Sequence, residues 1–178
     1  MALEIREPDG RRRVQRTVTV LRSPSDCYSA WRDFARLPSF MDSLESVTVD
    51  PRSGRSHWKV KAPAGQSVEW DAEVVEDVPG SFLSWRSLPG ADPANSGEVV
   101  IREAPGGRGT EVTVALSYDP PLGEAGRIAA KLLGEEPAMQ LDEDIVRFKE
   151  MMETGRIPTT AGQPNGRNRP SVAKRGAA

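Results

Sequence analysis

The stretch from Glu136 to Gly155 constrains this chain more than any other. Leu141, Ile145, Phe148 and Met152 recur at spacings of four, three and four, with Ala138 extending the same face, the pattern of an amphipathic helix. Pro137 stands in the first turn, where a helix tolerates proline, and Gly155 stands where a left-handed residue ends one. Acids crowd the first half and Arg147 and Lys149 follow, an order that suits the helix dipole. At 1.5 Å per residue such a helix runs about 27 Å, enough to cross a small sheet. It needs an apolar surface to lie on, and Asp142-Glu143-Asp144 read as its wet side.

The preceding chain supplies that surface. Val14–Leu21 alternates as a strand, with Val14, Arg16, Val18 and Val20 on one face. Ser23 caps a helix that Pro24 begins, and Cys27, Tyr28, Trp31 and Phe34 form its apolar side. After Leu37-Pro38 a second short helix is predicted over Ser39–Ser43, carrying Phe40 and Met41. Six strands follow in hairpin succession: 43–50, 55–61, 67–77, 81–88, 97–103 and 110–118. Turn signals such as Pro51-Arg52-Ser53-Gly54, Ala62-Pro63-Ala64-Gly65 and Pro79-Gly80 separate them. Pro89–Ser96 reads as a polar loop, and Leu122–Leu133 as a further helical approach. Hairpin-linked strands with helices at both ends specify an α+β fold: a curved antiparallel seven-stranded sheet wrapped around the long C-terminal helix. The space between sheet and helix is where a ligand would sit.

A chain of 178 residues suits one domain with a core. Residues 1–13, ending in Arg11-Arg12-Arg13, read as a basic arm; 14–157 form the domain; 158–178 lack apolar periodicity and read as a disordered basic tail. Residues 156–178 carry five basic residues and no acids, leaving 19 basic against 26 acidic residues in the rest. That acidic body argues against nucleic-acid binding. No apolar run approaches the about 18 residues of a membrane span, and no secretory signal stands at Met1–Arg13. The single cysteine, Cys27, rules out an internal disulfide and suits a reducing, cytoplasmic setting.

One histidine and one cysteine are too few for a zinc site, no phosphate-binding glycine motif is present, and no cofactor is expected. His57 falls out of phase with Trp58 and Val60, and Glu69, Asp71 and Glu73 share a phase opposite Val68, Trp70 and Ala72, so both read as solvated sheet face. Arg16, Tyr28, Tyr118 and Arg86 are the polar groups to weigh for an interior; Arg86 is out of phase with Trp85 and reads as outside, and Arg16 and Tyr28 are the catalytic candidates. The apolar set is fuller. Trp58, Trp70 and Trp85 fall in the apolar phase of three successive strands, with Val60 and Ile101 on the same face. Phe40 and Met41 mark a cavity mouth, and Leu141, Ile145, Phe148 and Met152 face the sheet from the helix.

These segments also carry a resemblance. WRDFARLPSFM (Trp31–Met41), HWKVKAPAG (His57–Gly65), VEWDAE (Val68–Glu73), WRS (Trp85–Ser87), RFK (Arg147–Lys149) and ETG (Glu153–Gly155) resemble the polyketide cyclase/dehydrase branch of the START-like (SRPBCC) superfamily. The resemblance spans roughly residues 14–160. It implies a helix-grip fold, with two short helices after the first strand and a deep cavity for an apolar molecule. Relatives include lipid carriers, coenzyme-Q-binding proteins and aromatase/cyclases, which share a cavity and not a chemistry. The expected function is therefore binding or transport of a hydrophobic small molecule (a lipid, a quinone or a polyketide-like compound). The alternative is a polyketide aromatase/cyclase or dehydratase.

Overall fold

The computed structural model describes residues 1–61, 65–119 and 137–156. The helix expected over Leu122–Leu133, most of the turn at Ala62–Gly65 and the tail at 158–178 lie outside the described residues. Eight strands form one antiparallel sheet: β1 (Leu3–Arg6), β2 (Arg12–Val20), β3 (Leu44–Val49), β4 (Ser56–Lys61), β5 (Ser67–Val78), β6 (Phe82–Ser87), β7 (Asn95–Glu103) and β8 (Thr110–Tyr118). Their order is β1-β2-β8-β7-β6-β5-β4-β3, so the hairpin succession from β3 to β8 turns back to meet β2. Helix α1 (Pro24–Arg32) and a 3-10 turn (Phe34–Ser39) connect β2 to β3, and α2 (Pro137–Thr154) is the C-terminal helix.

Two expectations need correction. The sheet has eight strands, not seven, because Leu3–Arg6 within the supposed arm pairs with Arg12–Gln15. Leu3 and Ile5 remain exposed, so this edge strand is held by backbone pairing and leaves no burial pattern in the sequence. The second short helix lies earlier than Ser39–Ser43: α1 ends at Arg32 and the chain tightens into 3-10 geometry over Phe34–Ser39. Pro38 lacks the N–H that an α-helical turn needs there. Two strands also begin sooner than expected. β2 starts at Arg12, opposite Tyr118, and β7 starts at Asn95, whose N–H donates to Ser87 Oγ at 3.0 Å.

The core lies between the sheet and α2. Val14, Val20, Val99, Val112 and Val114 are buried on the sheet's inner face, and Leu141, Ile145 and Phe148 are buried on the helix. Phe148 closes a three-ring cluster with Trp31 of α1 and Phe40, every pair of centroids 5.3 Å apart. Each such side chain removed from water contributes about 1.5–3 kcal/mol. Polar ties fix the far end of α2. Lys149 Nζ donates to the Thr19 carbonyl, and Glu153 accepts the Leu21 N–H at 2.9 Å.

Across the middle strands a different aromatic group forms. Trp58 and Trp70 are directly opposed on β4 and β5, and Trp85 lies on β6. The ring of Trp58 is nearly parallel to both neighbours, at 6.4 Å from Trp70 and 5.8 Å from Trp85. Trp85 can lie flat only because its cross-strand partner is Gly97: a Cβ there would fall 2.2 Å from the Trp85 ring. Gly97→Ala is therefore expected to displace that ring and cost about 1–3 kcal/mol, read as a lowered denaturant midpoint. The same substitution in a Trp85→Leu background should cost clearly less, and equal costs in both backgrounds would refute the clash.

Candidate functional site

A cavity of about 130 Å³ opens between the N-terminal half of α2 and the middle of the sheet. Its wall is mainly apolar. Trp58, Trp70 and Trp85 supply one side, and Val60, Val68 and Leu44 extend it along β3 to β5. Met41 and Leu141 face them from the mouth loop (residues 40–43) and the helix, and Val14 and Leu116 close the β2–β8 end. Trp58 satisfies its own indole by donating from Nε1 to Ser56 Oγ at 2.8 Å, and Ser56 in turn donates to the Ala72 carbonyl.

Of the residues expected to contact a ligand, Met41, Trp58, Val60, Trp70, Trp85 and Leu141 line this cavity. Phe40, Ile145 and Phe148 are fully buried in the closed core beside Trp31, and Ile101 is buried on β7; none of these four lines the cavity. Met152 sits further along α2, where its carbonyl accepts from Arg22 Nε. The apolar stripe of α2 is thus divided. Leu141 meets open space, while Ile145 and Phe148 meet side chains that fill it.

Neither catalytic candidate lines the cavity. Arg16 points to the helix side of β2, but its Nε lies 2.8 Å from Asp142 Oδ1, an ion pair not aligned as a hydrogen bond. Tyr28 donates to Asp77 Oδ1 on the outer surface of α1, where Arg32 Nε also reaches Asp77 Oδ2 at 2.7 Å. Burial and that carboxylate partner push the Tyr28 hydroxyl above the ordinary tyrosine range. Arg86 is exposed and paired with Glu73 at 2.7 Å. His57 is likewise exposed and stands 2.8 Å from Asp71, whose hydrogen bond holds its ring above the usual histidine range. Among the described residues no cluster of His, Cys, Asp or Glu converges as metal ligands.

The titratable groups at the cavity are Asp144 and Tyr118. Asp144 was expected on the wet side of the helix, yet it is 2% exposed and lines the cavity. It stands about 60° from Leu141 and about 40° from Phe148 around the helix axis, beyond Phe148 at the edge of the apolar arc. Its Oδ1 accepts the Asp42 N–H at 3.1 Å and Arg147 Nη1 at 2.8 Å. Burial nevertheless pushes its carboxyl up to about 6, against the lowering effects of that N–H and of Arg147. Arg147 also reaches Asp42 Oδ2 at 2.9 Å and Glu143 at 3.2 Å, so it clamps α2 to the mouth loop. Tyr118 is buried at the end of β8, and burial raises its hydroxyl above the ordinary range.

The sign of the pH effect follows from the raised value. Between about pH 4 and 6 the folded protein holds a proton on Asp144 that the unfolded chain has released, so stability falls as pH rises through that window and levels off above it. The difference amounts to about 3 kcal/mol across the window. Asp144→Asn should remove that fall. Urea melts of both proteins between pH 4 and 7 are expected to show the wild-type advantage shrinking as pH rises. Parallel curves would mean that Asp144 titrates as it does in the unfolded chain.

Comparison with known proteins agrees with this architecture. Residues 20–146 match the family described as polyketide cyclase / dehydrase and lipid transport. A Deinococcus radiodurans protein of known crystal structure is 42% identical, with 81% of this chain and 99% of that one covered and a TM-score of 0.65. The Zhui aromatase/cyclase from Streptomyces sp. R1128 shares the fold at 16% identity and a TM-score of 0.60, covering 82% of this chain and 98% of its own. A START superfamily protein from Mycobacterium smegmatis does so at 19% and 0.58, covering 78% and 97%. The chain belongs to the polyketide cyclase/dehydrase and lipid transport family.

Proposed function

We propose that this chain binds a hydrophobic small molecule in the cavity beneath α2, as a carrier or sequestering protein in the cytoplasm. One observation carries the reading: three nearly parallel tryptophans on adjacent strands wall a space that α2 spans without filling. A core built for stability alone would close that space, since each unfilled volume of methyl size costs about 1 kcal/mol. The neighbouring Trp31, Phe40 and Phe148 cluster is closed in that way. At about 130 Å³ the cavity takes roughly one ring, so a lipid, quinone or polyketide-like ligand would extend through its open side.

Native mass spectrometry of protein purified from its own host, followed by organic extraction, tests the reading. A bound species of discrete mass, lost on Trp58→Ala, is the expected result. Protein with no added mass that also fails to bind any hydrophobic probe would refute it.

A second reading rests on a separate observation, the placement of Asp144 and Tyr118 on the cavity wall. A carboxyl near pH 6 is poised to give and take protons, and a buried phenol donates to a ketone oxygen. This suits an aromatase/cyclase or dehydratase acting on a poly-ketone. Turnover of such a substrate should then fall by about 100-fold or more in Asp144→Asn and Tyr118→Phe. Arg16→Ala and Tyr28→Phe should leave it unchanged.

A further inference from the structure

Asp144 is the charged group that an apolar cavity does not explain. Its carboxyl is buried on the wall, and both donors that reach it, the Asp42 N–H and Arg147 Nη1, converge on the single oxygen Oδ1. Oδ2 receives no hydrogen bond among the described residues. Arg147 is spread over Asp42, Glu143 and Asp144 Oδ1.

We propose that the inner end of the cavity recognises a phenol, a single aromatic ring whose hydroxyl donates to Asp144 Oδ2. This rests on the reading that the cavity takes a hydrophobic molecule, and it specifies which part of that molecule enters first. Charge selects the group. An anionic headgroup would be repelled by the carboxylate, and a cationic amine would lose its hydration on entering an apolar cavity. A neutral hydroxyl supplies the missing donor without adding charge to a buried place. Size selects the ring, because an apolar cavity of about 150 Å³ holds a benzene and this one measures about 130 Å³. The walls select aromaticity, since the indoles of Trp58, Trp70 and Trp85 offer ring contacts.

Phenol, toluene and anisole separate the contributions, because toluene replaces the hydroxyl by a methyl and anisole retains only an acceptor oxygen. By calorimetry at about pH 8, with the carboxylate ionised, phenol should bind the full-length chain about tenfold more tightly than toluene or anisole. Asp144→Asn provides the second measurement. Arg147 and the Asp42 N–H hold the amide oxygen at the Oδ1 position, so the NH₂ takes the place of Oδ2 and donates to either ligand oxygen. The preference for phenol over anisole should therefore fall at least about fivefold, with toluene affinity little changed. Equal binding of phenol and toluene by the wild type would overturn the proposal and leave the hydrophobic cavity intact. An unaltered phenol preference in Asp144→Asn would move the anchor to another polar group of the wall and overturn it too. No binding of any of the three would overturn both readings.

Discussion

The seating of α2 on the concave face of the sheet governs the rest of this molecule. Leu141, Ile145 and Phe148 form a stripe with nowhere else to be buried, and the sheet offers its inner valines and tryptophans in return. Phe148 anchors the arrangement by entering the ring cluster of Trp31 and Phe40. Lys149 and Glu153 then tie the helix end to Thr19 and Leu21. With its C-terminal half fixed in this way, α2 runs over the middle strands at a height that leaves the cavity beneath Leu141. One end of the helix closes the core, and the other roofs the site.

The same seating brings a carboxyl where an apolar residue would be expected. Asp144 is carried into the wall beside Phe148, and its charge is tolerated because Asp42 and Arg147 engage one of its oxygens. Lys61 adds a bond to the Asp42 carbonyl at 2.9 Å, steadying the loop from the strand side. The mouth loop, α2 and β4 are therefore joined through Asp42. Other charges lie on the outer face of the sheet. Lys59, His57 and Arg86 pair across strands with Glu69, Asp71 and Glu73, and these contacts are exposed and contribute little to stability.

Much of this was legible beforehand. The helix, all the strands from β2 to β8 and the inward phase of Trp58, Trp70 and Trp85 follow from periodicity, because a half-buried element must repeat its apolar residues at its own period. β1 was not legible, since an edge strand held by backbone pairing alone imposes no such repeat. Arg16 illustrates the limit of phase as evidence. It shares the inner face of β2 as expected, yet Asp142 holds it away from the cavity. Alternation gives the side on which a residue lies and not what waits for it there.

The sequence alone determined the layers of this protein, the faces that meet between them and the family to which the motifs point. Those properties depend on local period and turn chemistry, which neighbouring residues carry. Only the tertiary structure decided which apolar residues close the core and which line a space: Ile145 and Leu141 are equivalent in pattern and opposite in role. Only the tertiary structure showed Asp144 to be buried and Arg16 to be occupied, for their partners Asp42 and Asp142 lie about a hundred residues or more away in the chain. Volume and charge pairing are settled by residues brought together from distant parts of the chain, and no local pattern records them.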